Sequence, residues 1–281
     1  MLPIGPQAQI YVPDGSNVDD AIRRTTYLAV GAHQDDIPIM AYDGILKCFG
    51  QPDEWFFGIT VTDGAGSPRA HLYGSYTDEQ MREVRIAEEK KAAFVGEYTA
   101  AVLLGHPSSV AKDPANDVII DELAELISRA QPTVVYTHNL ADKHDTHVAV
   151  ALRTVTAIRR LPVEQRPAAV YGCEVWRDLD WMTADDKVAF DVSAHENLGA
   201  ALMGIYDSQV SGGKRYDTAT AGRRLAHATF SESHSVDDAT ALIYGMDLTP
   251  LIADDISPAV HVAAHIQRMH DDVTERINRL A

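Results

Sequence analysis

Five short apolar runs, at 26–32, 55–62, 100–105, 133–138 and 168–175, recur between longer segments at 38–48, 77–97, 116–130 and 145–160, and this alternation restricts the chain to few folds. Short apolar runs bounded by turn formers read as strands, and the longer, periodic segments read as helices. Strand, helix, strand in repeated succession predicts an α/β class with an open, mostly parallel sheet. Beyond residue 180 the rhythm loosens. Helices are expected at 194–207, near 217–227 and, long and amphipathic, from about 258 to 279, with a Gly-rich turn at Ser211-Gly212-Gly213. Neither a Pro- or Ser-rich linker nor an internal repeat interrupts the pattern. One domain is therefore expected over 1–281, with its core at about 25–180 and a C-terminal elaboration at about 181–281.

A domain of 281 residues removes roughly three quarters of its unfolded surface from water and needs no staple for its core. Hydrophobic residues make up 46% and charged residues 23%, which places the chain with ordinary globular proteins rather than disordered or fibrous ones. The formal net charge is −17, spread along the chain, and this argues against a nucleic-acid partner, whose phosphates need a basic face. The pairs Arg23-Arg24, Lys90-Lys91, Arg159-Arg160 and Arg223-Arg224 form no basic stripe. Cys48 and Cys173 lie far apart in apolar stretches and read as buried free thiols of a reducing compartment. Met1-Leu2-Pro3-Ile4-Gly5-Pro6 lacks the basic start and apolar core of a leader, and no apolar run is long enough for a membrane span, so a cytoplasmic location is expected.

Polar residues of one chemical kind gather where two of the expected strands end. Tyr27-Leu28-Ala29-Val30-Gly31 breaks into Ala32-His33-Gln34-Asp35-Asp36, and Val134-Val135-Tyr136-Thr137 breaks into His138-Asn139 and leads to His144-Asp145-Thr146-His147. Loops at the carboxyl ends of parallel strands carry ligands in open α/β sheets, so the two clusters point to one shared site. A catalytic divalent metal takes three His or carboxylate ligands and keeps one position for water. His33, Asp36 and His147 can supply that set. Asp35, projecting elsewhere from the same turn, is left to take a proton from water, and His144, near the helical face of His147, can stabilise an oxyanion. Zinc is the expected ion, with another divalent ion such as Fe2+ as the alternative.

Plainer readings exist for each residue. An Asp pair after a strand is often a helix cap, and His144 with His147 can be an exposed pair on a helix opening. His138 and Asn139 either support the ligands from behind or are strand-end polar residues, and His106-Pro107 reads as a turn that edges the cleft. His195, His227, His234, His261, His265 and His270 lie outside both clusters. Arg69 or Arg85 either meets a hydroxyl or phosphate of a substrate or forms a structural ion pair. Trp176, Trp181 and Tyr206 either stack on a sugar ring or pack.

Ala32-His33-Gln34-Asp35-Asp36-Ile37 resembles the A-H-P-D-D-E signature of the PIG-L/LmbE-like deacetylases, and His144-Asp145-Thr146-His147 resembles their H-P-D-H element. Thr62-Asp63-Gly64-Ala65-Gly66-Ser67 is similar to the family's Thr-x-Gly loop, Arg85 to Glu88 to its R-x-x-E helix, Glu174-Val175-Trp176 to its fifth-strand ending, and Tyr206 to Gln209 to a later element. The resemblance implies a Rossmann-like sheet with helices on both faces and a zinc-dependent hydrolase that removes an acyl group, usually acetyl, from an amino sugar. It implies His33, Asp36 and His147 as metal ligands, Asp35 as base, and His144 at the oxyanion or leaving amine. The partner implied is a small N-acylated molecule; apolar loops would also suit a homo-oligomer. Gln34, Ile37 and Thr146 depart from the pattern, which leaves an amidase of a larger acyl or thiol conjugate, or a catalytically silent binding homologue, as the alternatives.

Overall fold

The apolar runs are strands because their side chains have apolar layers on both sides to enter. The computed structural model describes residues 2–253 and 256–281. Its sheet comprises β1 (Gln9–Tyr11), β2 (Tyr27–Gly31), β3 (Phe56–Thr62), β4 (Ala100–His106), β5 (Val134–His138), β6 (Ala169–Cys173), β7 (Lys187–Asp191) and β8 (Leu242–Asp247). The order across the sheet is β1-β4-β3-β2-β5-β6-β8-β7. β2 to β6 pair in parallel, while β1 joins β4, and β8 joins both β6 and β7, antiparallel. All five expected strands are present within a residue or two of the expected ends.

The helices are α1 (Val18–Arg23), α2 (Asp36–Met40), α3 (Tyr42–Cys48), α4 (Asp78–Val95), α5 (Ser108–Lys112), α6 (Val118–Ala130), α7 (Asp145–Arg159), α8 (Glu196–Ile205), α9 (Asp207–Gln209), α10 (Tyr216–Thr229), α11 (Thr249–Ala253) and α12 (Pro258–Leu280). Successive strand residues enter opposite layers. Leu28 and Val30 pack with Ile22 of α1, Leu123 of α6 and Val155 of α7, whereas Ala29 packs with Ile37, Ile45, Ala92 and Leu202 from α2, α3, α4 and α8. Helices thus cover both faces, and the strands they bury are apolar without interruption; β3 is buried at every position.

Three strands were not anticipated. β1 is three half-buried residues, and β7 is an edge with only Phe190 buried, too little apolar signal for a strand in a sequence. β8 is buried but interrupted by Gly245, where a Cβ would lie 2.8 Å from the Phe190 ring. The single helix expected at 38–48 is two, broken at Ala41 (φ −116°, ψ 25°). Arg224 of α10 takes up carbonyls beside the break, bonding Pro38 O at 2.6 Å and Ile39 O at 3.3 Å while its guanidinium lies over the Tyr42 ring. A long-range contact therefore stabilises a break that local propensity does not contain. No helix among the described residues is long and apolar enough to cross a membrane.

The chain lays β3 and β4 on one side of β2 and then returns to place β5 and β6 on the other. A crevice opens outside the carboxyl ends of the strands where the order reverses. Here that point lies between the ends of β2 and β5, where both polar clusters are found.

Candidate metal centre

β2 ends at Gly31 and the chain turns through residues 32–35 into α2. A Cβ on Gly31 would stand 3.0 Å from Ile37 Cγ1 and 3.3 Å from Asp36 Cβ, so the absence of a side chain lets the helix fold close against the strand. The turn is fixed from three directions. Thr62 donates N–H and Oγ1 to Ala32 O at 2.9 and 2.8 Å, the Ala32 N–H donates to His138 Nε2 at 2.9 Å, and the His33 N–H donates to Asp36 Oδ2 at 2.6 Å. At the other strand tip, Asn139 anchors the turn that leads to α7: its amide donates to Cys173 O and Arg177 O at 3.1 and 3.2 Å, and its Oδ1 accepts from the Ala141 N–H at 3.1 Å. Asn139 holds backbone and does not face the cluster.

These anchors bring His33, Asp36 and His147 together. His33 Nδ1 is 3.1 Å from His147 Nε2 and 3.2 Å from Asp36 Oδ2, and His147 Nε2 is 3.5 Å from Asp36 Oδ1. His144 edges the group, stacked on His147 with ring centroids 4.5 Å apart and edge-on to His33 at 5.1 Å. His138 stacks on the other side of His147 at 4.0 Å, with Nε2 3.4 Å from Asp36 Oδ2. Two overlapping triads, His33-His144-His147 and Asp36-His138-His147, hold their ligand atoms within 4.8 Å of one another, and His147 belongs to both.

The electrostatics of the cluster favour a cation at its middle. Burial opposes charge on Asp36, but the facing His147, His138 and His33 hold its carboxyl well below the ordinary range. Burial also works against a charged His147, yet Asp36 and Asp142 raise its pKa. Burial, and then the neighbouring His147 charge, push His138 and His144 down to about 4, so both rings are neutral near pH 7; the one lone pair of His138 is on Nε2, which accepts the Ala32 N–H. His138 Nδ1 and His144 Nδ1 are enclosed without a hydrogen-bond partner. An ionised, buried carboxylate facing imidazoles whose ring nitrogens lie 3.1–3.5 Å from one another and from its oxygens is a donor set that fits a divalent cation.

Asp142 escaped the reading of the sequence. Its Oδ2 lies 3.2 Å from His147 Nδ1 and accepts the Trp176 N–H at 3.1 Å, and its Oδ1 accepts the His144 N–H at 3.1 Å. Burial raises its pKa, but the His147 hydrogen bond and charge outweigh that and leave it below the ordinary carboxylate range. A carboxylate on Nδ1 turns the Nε2 lone pair of His147 inward, which is how histidine ligands are commonly oriented. The available signal was the pair of turn-forming residues Asn139 and Asp142 between the strand tip and His147. We predict that Asp142→Asn weakens metal binding by about 10–100-fold with the fold retained, as measured by competition with a chromophoric chelator; unchanged affinity would remove Asp142 from this role.

Asp35 sits beside the cluster and its Oδ1 accepts from Arg85 at 2.7 Å. Arg85 is 1% exposed and is held from behind by Glu88, whose carboxylate takes the Ser208 N–H and Oγ–H at 2.7 Å each. Arg85 is thus a buried ion-pair partner of Asp35. Next to it Glu89, bonded by Tyr206 OH at 2.8 Å and Thr60 Oγ1 at 3.1 Å, is pushed up to about 8 by burial. An acid whose folded pKa is raised contributes stability below its unfolded pKa and loses it as pH rises through the folded value. Thermal stability should therefore fall between about pH 4.5 and 8 because of this group, and Glu89→Gln should flatten that slope in a pH series of melting curves.

The cluster opens into a cavity of about 410 Å³. Its wall includes His33, Asp35, His144, Thr146, Trp176 and Tyr216, the loop at Gly64–Pro68, and Lys112 and Lys214 at the edges. Of the candidate aromatic residues, Trp176 faces the cavity, while Tyr206 is buried on Glu89 and Trp181 packs against the core. Arg69 binds Ala65 O and Tyr76 O at 2.7 Å each and pairs with Asp78, so it ties the loop to α4. His106 pairs with Glu122 at 2.6 Å and lines a separate cavity behind Thr62 and Asp63. Ile37 is fully buried in the core against Gly31 and Gly58 rather than facing the cavity, and Gln34 donates to Thr62 O at 2.9 Å.

The protein family described as PIG-L: GlcNAc-PI de-N-acetylase matches residues 28–158, which contain both strand-tip clusters. A search of curated protein sequences finds no match. Among solved structures, the chain is similar to GalB, the 4-carboxy-2-hydroxymuconate hydratase from Pseudomonas putida KT2440, at 17% identity and a TM-score of 0.62 over 83% of this chain and 99% of that one. It is also similar to the N,N'-diacetylchitobiose deacetylase from Pyrococcus horikoshii (12% identity, TM-score 0.64, 82% and 86% covered) and to the zinc-inhibited form of teicoplanin deacetylase (14% identity, TM-score 0.53, 79% and 97% covered). At these identities the structural likeness speaks for the fold. The family match spans both strand-tip clusters, and over residues 28–158 this chain carries a PIG-L domain.

Proposed function

We propose that this protein is a metal-dependent N-deacetylase in which His33, Asp36 and His147 hold a divalent ion, zinc in the first place and Fe2+ as the alternative. The observation that carries this reading is the meeting of those three side chains, 3.1–3.5 Å apart, beside a cavity whose wall includes His33, Asp36 and the neighbouring Asp35 carboxylate. The ion supplies Lewis acidity and brings the pKa of water toward roughly 7. Asp35, oriented by Arg85, keeps Oδ2 for the proton that leaves water as its oxygen bonds to the amide carbon. His144, neutral and half-buried, donates an N–H toward the oxyanion. The proton held at Asp35 passes to the amide nitrogen, the C–N bond breaks, and a carboxylate and a free amine are the products.

The substrate we infer is an N-acetylated amino sugar conjugate that carries an anionic group. Trp176 and Tyr216, edge to face at 6.2 Å, form an aromatic wall on which a sugar ring can lie. Asp35 and Asp63 on the cavity wall are paired with Arg85 and Arg82, whereas Lys112 and Lys214 have no carboxylate partner among the described residues; Lys214 Nζ lies over the Trp176 ring at 4.9 Å. Two unpaired cations at the mouth of a chain of net charge −17 mark a place for substrate phosphate or carboxylate. The test is to load the protein with zinc and offer N-acetylglucosamine, its 1-phosphate, carboxylate-bearing glycosides and sugars with longer N-acyl groups, following free amine and product mass. Amine from the anionic acetylated sugars is expected. Release only from longer acyl groups would make the protein an amidase of larger conjugates, and no amine from any acetylated sugar would end the deacetylase reading.

A further inference from the structure

We infer that α12 is a self-association element, pairing antiparallel with α12 of a second copy about a two-fold axis at Val273. The helix is fastened to the body only in its first half. Val262 packs on the core, His261 Nε2 lies 2.9 Å from Asp247 O, and Asp186 holds His265 at 3.3 Å and Arg268 at 2.6 Å. From Ile266 to Ala281 every residue is exposed, and beyond Arg268 the hydrogen bonds and ion pairs of the described side chains stay within the helix.

A helical segment of this length is marginal in water by itself, and its stability normally comes from packing an apolar face. Such a face is present. Ile266, Met269, Val273, Ile277 and Leu280 are 36–74% exposed and, at successive spacings of 3, 4, 4 and 3 residues, fall on one stripe. That spacing reads the same in both directions about Val273. Turning a second helix end for end therefore sets Ile266 against Leu280, Met269 against Ile277 and Val273 against its own copy, with no apolar residue left unmatched.

The flanking charges have the same symmetry. Asp272 and Arg276, paired within the helix at 3.0 Å, lie together beside the stripe, so in the antiparallel arrangement Asp272 of each copy comes within about a turn of Arg276 of the other. In a parallel arrangement the symmetry axis runs along the helices, so the two Asp272–Arg276 pairs would lie on opposite sides of the seam and would not meet. The contact runs roughly 21 Å along helices about 10 Å across. This is at the small end for protein interfaces, so a reversible dimer is expected rather than a permanent one.

The experiment is sedimentation of the full chain over a wide concentration range, with cysteine cross-linking to read the direction of pairing. The mass should move from 30.7 kDa toward twice that value as concentration rises, and Val273→Glu, which sets two carboxylates on the axis, should hold it at 30.7 kDa with the circular dichroism of the folded body intact. Oxidation should join chains of the double variant Ile266→Cys/Leu280→Cys but leave Ile266→Cys alone as monomer; Cys48 and Cys173 are buried. A mass that stays at one chain, a dimer that survives Val273→Glu, or efficient cross-linking of Ile266→Cys alone would each overturn the proposal.

Discussion

Asp35→Asn is expected to lower amide hydrolysis by about 10²–10⁴-fold while the protein still takes up one equivalent of zinc. The amide keeps the shape of the carboxylate and can still accept from Arg85, now 2.7 Å from Oδ1, but it cannot hold a proton taken from water. Arg85 then faces no carboxylate at that position. Glu88, 3.5 Å away, remains to offset its buried charge, so a modest loss of thermal stability is expected alongside the large loss of turnover. Measuring kcat with bound metal by elemental analysis separates the two effects. Turnover within a few-fold of the parent would show that another group takes the proton. No turnover in either protein, with ligand affinity unchanged, would indicate a binding homologue.

His147→Ala is expected to remove stoichiometric metal binding altogether. His147 belongs to both ligand triads, and its Nδ1 is the partner of Asp142, so the substitution deletes a donor, leaves Asp142 buried without its counter-ion and takes from Asp36 one of the three imidazoles that face it. Breaking a buried pair on one side costs on the order of 3 kcal/mol, which should appear as a lower melting temperature even when no metal is added. Addition of zinc to the parent should raise its melting temperature, by about 4 kcal/mol of stabilisation at a thousand times the dissociation constant. The variant should show no such rise. A preserved metal-dependent shift in His147→Ala would relocate the ligand set to the remaining imidazoles. These readouts do not depend on identifying the substrate.

The two strand-tip clusters could be read from the chain because each is local: an apolar run fixes the strand, and the polar residues that follow must emerge at its end. His33 with Asp36, and His144 with His147, are neighbours by construction of a turn and of a helical first turn. Asp142 could not be recognised in this way, because its role depends on the direction taken by a loop anchored by Asn139 on β6. Arg85 and Arg69 looked alike as isolated arginines. Burial beneath Asp35 assigns one, and a mesh of loop carbonyls assigns the other. Ile37 stands where the family signature has an acidic residue, and the helix phase turns it into the core.

The class of fold, the parallel strands and the candidate ligands were determined by the sequence alone, since period, turn chemistry and residue type act over a few positions and leave few alternatives. Tertiary structure decided what local pattern cannot encode: the strand order that sets β2 beside β5, the break between α2 and α3 closed by Arg224, the carboxylate behind His147, and the face of α12 that no described residue covers. The strand order and the helix break rest on contacts between residues tens to hundreds of positions apart, and the aim of Asp142 rests on a loop that Asn139 ties to Cys173; their energies appear only when the chain has closed around its core.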